Sequence, residues 1–450
     1  MRRSLDTIAA LGTPAGTAAL ALLRVSGPDT QRLATELAGS PPLSRQARHV
    51  DYRDRHGGLV DDVVLIFFSG PRSYTGEDAL EISCHGNPFI AQKILEDLLA
   101  RGCRAAEPGE FTQRAFLHGR LDLSQAEAVM DLIHARSERA LAFAQQQLRG
   151  ALAGRMGTLI DALLGVLARI EAYIDFPEED LPPEDRQWVA GEIQRIGAET
   201  ARLLATSHYG AMLREGIRTV IIGPPNAGKS SLLNRLVGRE RALVSPEPGT
   251  TRDFLEETIM VGPHALRIID TAGLNPAPGE IERLGIEKTL ERTAEADLFL
   301  IVVDAAQPSW VLPDVVWAQA KRGPAIWVMN KTDLAPHAAE PIGWPFPVIR
   351  ISALTGAGVE ELVGAIGQAA DAFQNTLGED KIAISARHAY ALESAQAGLA
   401  RAGAKLSENG PIELIASDLR DTLAAFGEIT GKVDNERMLD QLFASFCIGK

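Results

Sequence analysis

The stretch that decides the fold is Gly223-Pro224-Pro225-Asn226-Ala227-Gly228-Lys229-Ser230, which follows the β-branched run Thr219-Val220-Ile221-Ile222. Its G-x-x-x-x-G-K-S spacing is that of a phosphate-binding loop, whose glycines allow the backbone N–H groups to wrap an anion. Lys229 would reach the β- and γ-phosphates, and the hydroxyl of Ser230 would bind magnesium. Ser231-Leu232-Leu233-Asn234 begins a helix whose positive end faces the same anion.

Strand and helix patterns continue to alternate after this loop. Apolar runs at Ala265–Ile269, Leu298–Val303, Ala325–Val328 and Val348–Ile351 are separated by stretches of helical spacing. This alternation is typical of βαβ units and a parallel sheet. The sequence therefore predicts a P-loop α/β domain over residues 216–376.

A polar segment, Asp270-Thr271-Ala272-Gly273, follows the first of these runs. Its aspartate could hold magnesium through water, and the N–H of Gly273 could sense the γ-phosphate. A simple strand-ending turn explains the segment about equally well. Between it and the phosphate loop lies Ser245-Pro246-Glu247-Pro248-Gly249-Thr250-Thr251-Arg252-Asp253. A threonine here would complete the coordination of magnesium when the γ-phosphate is present. The segment from about Ala242 to Asp253 is therefore predicted to be a nucleotide-sensing switch.

Base recognition is indicated by Asn330-Lys331-Thr332-Asp333, which follows another predicted strand. Asp333 can accept hydrogen bonds from the ring N–H and amino group of guanine, and Asn330 can donate to the opposite edge of the base. Adenine lacks this donor pair and would leave the carboxylate unpaired. The backbone N–H groups of Ser352-Ala353-Leu354 would close over the base. Together with the phosphate loop, this ordered set predicts a site for GTP rather than ATP.

The residue after Gly273 is Leu274, where Ras-like GTPases carry a glutamine that orients the attacking water. Leucine cannot orient water, and the sequence shows no arginine finger, so hydrolysis requires other groups. Glu282 is near enough in sequence to take part, although its spacing alone favours a solvated acid at a helix start.

Composition restricts the possible functions further. The 450 residues carry a formal net charge of −14, so binding of nucleic acid would need a local basic patch or a partner protein. Cys84, Cys103 and Cys447 have neither disulfide nor zinc spacing, which fits a reducing cytosol. No run approaches the ~20 apolar residues of a membrane span. We therefore expect a cytoplasmic protein without a membrane span.

The segments on either side of the α/β domain have different sequence patterns. Residues 1–120 mix strands, such as Val63–Phe68, with helical patterns such as Ile90–Leu99, which predicts an α+β region. Long helical patterns cover most of residues 121–215 and 377–450. The α/β domain is therefore inserted between two helical stretches, which would pack together as one all-α domain.

Strings outside the α/β domain resemble the tRNA modification GTPase MnmE (TrmE) family. They are Ser73-Tyr74-Thr75-Gly76-Glu77-Asp78, Cys84-His85-Gly86, Pro108-Gly109-Glu110-Phe111-Thr112, Arg114-Ala115-Phe116-Leu117, Leu121-Asp122-Leu123, Gln125-Ala126-Glu127-Ala128 and Phe446-Cys447-Ile448-Gly449-Lys450. The resemblance implies a folate-binding and dimerising domain at 1–120, a helical domain at 121–215 and 377–450, and a Ras-like G domain at 216–376.

The same resemblance implies a reaction and its partners. A homodimer would act with the flavin-dependent protein MnmG, in a hetero-oligomer, on carbon 5 of the tRNA wobble uridine. The product would carry a carboxymethylaminomethyl or aminomethyl group, and a 5-formyl or 5,10-methylene tetrahydrofolate would supply the one-carbon unit. The partner would hold much of the tRNA.

Family roles transfer to matching positions of this chain. Potassium, in place of an arginine finger, would supply positive charge beside the phosphates. Glu282 would be the catalytic glutamate, acting with Lys229, which reverses the weaker interpretation from spacing. The implied ligands are Asn226, Ser245, Glu247 and Thr250 for potassium, Ser230 and Thr251 for magnesium, and Arg24, Glu81, Arg120 and Lys450 for folate.

Two alternatives remain open at this stage. The chain could be a potassium-activated GTPase of tRNA modification, or a regulatory GTP-binding switch such as a ribosome-assembly GTPase, which would leave the flanking strings unexplained. Cys447 could be a reactive thiol or a small buried hydrophobe.

Overall fold

The computed structural model describes most of the chain. The described residues are 6–175, 183–240, 256–270, 295–307, 314–321, 323–341, 344–373, 382–431, 442–443, 446 and 449. The chain divides into two compact units. The first comprises Met1–Met130, Leu148–Gly157 and Gly427–Lys450, and the second comprises Asp131–Gln147 and Thr158–Phe426.

The first unit contains a six-stranded sheet in the order β3-β4-β5-β2-β1-β6, antiparallel except for the β1–β6 pair. Its strands are β1 (Ile8–Leu11), β2 (Leu20–Ser26), β3 (Ala47–Arg53), β4 (Leu59–Phe68), β5 (Ala79–His85) and β6 (Arg104–Ala105). Its helices include α1 (Thr30–Ala38), α2 (Pro88–Ala100) and α3 (Glu110–Leu117).

Alternating burial explains the core of this sheet. Leu23 and Val25 of β2, and Leu80 and Ile82 of β5, are at most 1% exposed, while the residues between them are less buried. Period-two burial of β-branched and aliphatic residues is typical of a sheet with one face on a core. Helices α1 and α2 pack against these strands, as the predicted α+β class requires.

The second unit contains another six-stranded sheet, in the order β12-β11-β10-β7-β9-β8. All neighbouring strands are parallel except β8 and β9. The strands are β7 (Ile217–Ile222), β8 (Glu256–Val261), β9 (His264–Asp270), β10 (Leu298–Asp304), β11 (Ala325–Asn330) and β12 (Val348–Arg350). The helices that accompany them are α9 (Lys229–Glu240), α10 (Asp314–Ala320) and α11 (Val359–Ala372).

The predicted parallel sheet is confirmed, and continuous burial accounts for it. Every residue of β11 is buried, as are all but the last of β10, because helices cover both faces of such a sheet. The antiparallel strand β8 was not predicted from the sequence. It forms a hairpin with β9 through the pair Val261 and His264.

The remaining helices flank the α/β region in the sequence. They are α4 (Leu123–His134), α5 (Glu138–Leu148), α6 (Ala151–Asp175), α7 (Pro183–Ala205), α8 (Ser207–Glu215), α12 (Ala386–Ser407) and α13 (Ile412–Thr430). Helix α7 packs along α12, which brings together the helical stretches on either side of the α/β region. Helix α7 begins at Pro183, where the missing N–H of proline costs nothing.

Among the described residues, only α6 has the length and mean hydropathy, 1.5, of a possible membrane-crossing helix. Leu152, Met156, Leu159 and Leu163 of this helix are at most 1% exposed. Their spacing of three or four residues places them on one face, whereas Asp161 is exposed. The pattern is that of a helix with one face on a protein core.

Candidate nucleotide and anion sites

The phosphate loop connects β7 to α9 and is held in shape by two glycines. A Cβ on Gly223 would lie 1.9 Å from the carbonyl oxygen of Val302, and a Cβ on Gly228 would lie 2.2 Å from Nδ2 of Asn330. Gly228 also has φ +91°, which L residues rarely adopt. Both positions therefore require glycine, and the loop keeps the form that wraps an anion.

Lys229 begins α9 with its ammonium turned back over the loop. Nζ donates to the carbonyl oxygens of Gly223 and Pro224, each at 2.9 Å. Ser230 is exposed at the same helix end, where backbone N–H groups and the helix dipole favour an anion. Asn226 is exposed at the tip of the loop with φ +61°. The charged and hydroxyl groups expected near a triphosphate therefore lie together.

Asn330 ends β11 and connects the phosphate loop to the segment after β12. Its Nδ2 donates to the carbonyl oxygen of Ala227 at 2.9 Å, and its Oδ1 accepts from the N–H of Ala353 at 2.9 Å. Asn330 is 2% exposed, and its amide nitrogen and its amide oxygen each have a partner within the protein. Asn330 therefore connects the phosphate loop to the segment Ser352-Ala353-Leu354.

A cavity of about 700 Å³ lies beside Asn330, and we call it the nucleotide cavity. It is lined by Gly228, Ser231, Asn234, Arg235, Asn330, Lys331, Asp333, Leu334, Ala353 and Leu354. Gly228, next to Lys229, and Asp333 thus border one space, as a single nucleotide requires. The Asp333 residue is exposed, so its carboxylate is accessible to a ligand.

Lys331 is fixed by a partner that the motif did not reveal. Its Nζ lies 2.7 Å from Oδ2 of Asp304, the last residue of β10, and this hydrogen bond lowers the pKa of Asp304. Asp304 and Asn330 are register partners at the ends of neighbouring parallel strands. The motif therefore rests on the carboxyl edge of the sheet, where α/β folds bind their ligands.

Several predicted residues lie outside the described part of the chain. They are Ser245, Pro246, Glu247, Pro248, Gly249, Thr250, Thr251, Thr271, Ala272, Gly273, Glu282, Cys447 and Lys450. The backbone of Asp270 is described as the end of β9, next to β7 in the sheet. The magnesium, potassium and catalytic roles that involve these residues remain predictions.

A second cavity, of about 180 Å³, lies in the first unit, and we call it the Arg24 cavity. It is lined by Arg24, Val25, Phe68, Tyr74, Thr75, Ala79, Leu80, Glu81 and Phe111. Nε of Arg24 donates to Oε1 of Glu81 at 3.1 Å, and Nη1 donates to the carbonyl oxygen of Gly449 at 3.5 Å. Arg24 and Glu81, two of the four predicted folate ligands, therefore contact each other in this cavity. The backbone of Gly449 lies beside Arg24.

The third described ligand of that prediction, Arg120, is not among the residues that line this cavity. Arg120 is exposed, and its stem lies against Gly76, the residue after Thr75. The aromatic wall formed by Phe68, Tyr74 and Phe111 was not predicted as a binding surface. Tyr74 and Phe111 belong to strings that indicated only the family, and Phe68 ends a predicted strand, so only the tertiary fold shows that the three residues line one cavity.

A buried ionic cluster supports one wall of the Arg24 cavity. Arg114, with its side chain 4% exposed, lies 3.0 Å from Glu110, 3.1 Å from Glu77 and 2.7 Å from Asp6. Burial opposes the charge of Arg114, but Glu77 and then Glu110 raise its pKa overall. Because Glu110 and Arg114 flank Phe111 on α3, the cluster fixes an aromatic wall residue.

The comparisons with known proteins agree over the whole chain. The sequence profile of the TrmE N-terminus matches residues 7–120, and that of the MnmE helical domain matches residues 123–447. The tRNA modification GTPase MnmE of Opitutus terrae is 57% identical over 447 residues, covering 99% of each chain. The protein of the same name from Akkermansia muciniphila is 44% identical over 449 residues, again covering 99% of each chain.

Among solved structures, the G domain of the T. maritima FeoB iron transporter is 26% identical, with a TM-score of 0.25. It aligns with 34% of this chain and 98% of its own. The full-length relatives, rather than this partial likeness, establish the relationship. With its phosphate loop, guanine-type motif and three-part fold, the chain belongs to the family of tRNA modification GTPases named MnmE.

Proposed function

We propose that this GTPase is activated by potassium and acts with the flavoprotein MnmG at carbon 5 of the tRNA wobble uridine. Its product would carry a carboxymethylaminomethyl or aminomethyl group. The observation that carries the nucleotide part is that Gly228, next to Lys229, and Asp333 line one cavity. The tRNA part is supported by the full-length similarity to the MnmE proteins.

The residues present suit GTP and magnesium. The ammonium group of Lys229 donates hydrogen bonds to two carbonyl oxygens of the loop. The phosphate oxygens of GTP would replace them, because charged oxygens are stronger acceptors. The exposed hydroxyl of Ser230 is a hard oxygen ligand of the type magnesium prefers. Magnesium would neutralise charge that develops on the phosphates during hydrolysis. The second magnesium ligand of the proposal is Thr251.

Potassium binding is proposed at Asn226, with Ser245, Glu247 and Thr250. Asn226 is exposed and left-handed at the tip of the loop, so its amide oxygen is accessible beside the phosphates. We expect GTP turnover in potassium buffer to exceed that in sodium buffer at least tenfold, since a bound monovalent cation would replace an arginine finger. Asn226→Ala should abolish the difference, whereas equal wild-type rates in both buffers would contradict the assignment.

Glu282 is proposed as the group that positions the attacking water. Glu282→Ala should keep GTP affinity and slow single-turnover hydrolysis by roughly 100-fold, within the range of general acid–base effects. Glu280→Ala, which removes a neighbouring acid of the same segment, is the matched control. An unchanged rate of hydrolysis by the Glu282→Ala variant would mean that another group positions the attacking water.

A tetrahydrofolate, in its 5-formyl or 5,10-methylene form, is proposed for the Arg24 cavity. The pairing of Arg24 with Glu81 among aromatic side chains suits a flat ring with amide-like edges. The volume is below the ~300 Å³ at which sites for drug-sized ligands begin, so it suits the ring end alone. Arg120 and Lys450 would then act on the charged tail, and the one-carbon unit would come from the folate.

We further propose a cytoplasmic homodimer, formed through the N-terminal domain, that combines with MnmG. With a net charge of −14, the chain needs a partner surface for much of the tRNA. The decisive experiment is nucleoside analysis of tRNA from cells lacking this chain. Loss of the modified wobble uridine, with recovery by the wild-type gene and not by Asp333→Asn, would support the proposal.

The alternative, a regulatory switch such as a ribosome-assembly GTPase, predicts a different outcome of the same experiment. The wobble uridine would then remain modified, while ribosomal subunits would accumulate in unequal amounts. No feature of the described residues favours this alternative over the family function.

A further inference from the structure

Arg235 lies on α9 and reaches the segment that closes over the base. Nε donates to the carbonyl oxygen of Ala353 at 3.0 Å, and Nη2 donates to the carbonyl oxygen of Leu354 at 2.5 Å. The guanidinium also lies over Gly356, where an added Cβ would be 3.5 Å from Nη2. One side chain therefore makes three contacts with a single short loop, and it lines the nucleotide cavity.

The backbone N–H groups of this loop are unequally available. The N–H of Ser352 donates to the carbonyl oxygen of Ala357, that of Ala353 to Oδ1 of Asn330, and that of Thr355 to Oγ of Ser352. The N–H of Leu354 has no hydrogen-bond partner among the described residues. It is therefore the donor in this loop that remains for a ligand.

The peptide unit that carries this N–H is the one that Arg235 holds. The carbonyl of Ala353 and the N–H of Leu354 belong to one planar, trans peptide and point in opposite directions. Fixing the carbonyl with a charged donor therefore fixes the direction of the N–H. The side chain of Leu354 is 80% exposed and provides little packing to do the same.

We propose that Arg235 is a positioning residue that aims the N–H of Leu354 at the oxygen on carbon 6 of guanine. The inference rests on the proposed guanine site and names a further element of its selectivity. Arg235 follows Lys229 by six residues, about 9 Å along the helix. The same helix thus holds the phosphates at its start and the base-recognition loop further along.

The test compares nucleotides that differ at carbon 6, using the full chain. Dissociation constants are measured for GTP, for ATP and for 2-aminopurine riboside triphosphate, which lacks both that oxygen and the neighbouring ring N–H. Arg235→Ala should weaken GTP binding about tenfold, the effect of one hydrogen bond of this kind, and change binding of the 2-aminopurine analogue less than twofold. The kcat at saturating GTP should stay within twofold, because phosphate contacts are not altered.

Two further variants sharpen the result. Arg235→Lys should recover only part of the affinity, since an ammonium cannot reproduce the planar fork that spans two carbonyls. Arg202→Ala removes an exposed helical arginine of the same unit, 75% exposed and paired with Glu199, and should change nothing.

Equal losses for GTP and the 2-aminopurine analogue would overturn the proposal, because Arg235 would then only support the loop in general. Unchanged GTP binding would overturn it as well. If the wild-type chain bound GTP and ATP equally, the guanine site itself would fail. That result is distinguishable from a failure of Arg235, since it appears before any substitution is made.

Discussion

The nucleotide cavity and the Arg24 cavity differ in how their residues are distributed along the sequence. The nucleotide cavity is built from short motifs at strand ends, such as Gly228 after β7 and Asp333 after β11. The Arg24 cavity combines Arg24, Glu81 and Phe111 from separate parts of the chain, with the carbonyl of Gly449 close by. Local chemistry can be predicted from a motif, whereas a cavity assembled from distant segments needs the fold or a relative.

The largest effect is expected when the ionic cluster that supports one wall of the Arg24 cavity is broken. Arg114→Met leaves the half-buried carboxylate of Glu77 without a cation and the buried carboxylate of Glu110 with Arg104 alone, and breaking such a cluster costs about 3–5 kcal/mol. Hydrogen exchange of the α3 amides should therefore accelerate by roughly 100-fold or more. Exchange at the wild-type rate would show that the cluster does not hold α3.

The matched control for that experiment is Arg32→Met on α1. Arg32 is 48% exposed and pairs with Glu36 one turn away, an arrangement worth less than ~1 kcal/mol. Exchange of the α1 amides should change by no more than about fivefold.

The next effect concerns base recognition in the nucleotide cavity. Asp333→Asn replaces an acceptor by an amide that also donates, so GTP affinity should fall roughly 100-fold and xanthosine triphosphate should become the preferred ligand. Competition binding with both nucleotides measures the switch. Glu340→Gln, which neutralises another exposed acid of the same unit, should have no effect. Unchanged guanine preference in Asp333→Asn would refute the assignment.

The features that can be predicted from the sequence follow the same division. Strands β7, β9, β10, β11 and β12 were predicted because a parallel sheet buries continuous apolar runs, and the motifs at their ends followed. The roles of Asp304 and Arg235 were missed, since each acts through backbone or register partners that no spacing rule specifies.

A smaller effect is expected when Arg24 itself, the charged side chain of the Arg24 cavity, is replaced. Arg24→Met removes the partner of Glu81, and binding of 5-formyltetrahydrofolate should weaken about tenfold, the value of one charge-assisted hydrogen bond in a partly exposed site. Isothermal titration of the full chain measures the change. Arg53→Met, an exposed arginine of the same sheet, is the control. An unchanged affinity would place the folate elsewhere.

The smallest expected effect is the loss of stability that the cluster around Arg114 shows at low pH. Burial opposes ionisation of Glu110, but the hydrogen bond from Arg104 and its other partners lower the pKa of this carboxyl below its ordinary value of 4.5. A lowered folded-state pKa means that the stabilisation is present above pH 4.5 and is lost as the pH falls through the folded-state pKa. Protection of the α3 amides should therefore decline below pH 4.5 in the wild-type chain.

Glu110→Gln isolates this contribution because the amide has nearly the same shape and does not titrate in this range. Its α3 protection should be lower at neutral pH, and its decline in acid should be shallower than in the wild type, after correction for the intrinsic pH dependence of exchange. The difference in slope is small because Asp6 contacts the same arginine, and Arg104 and Arg114 lower the pKa of Asp6 as well, against its burial. Parallel slopes would mean that Glu110 carries no proton-linked stability, and the cluster would then depend on its other two acids.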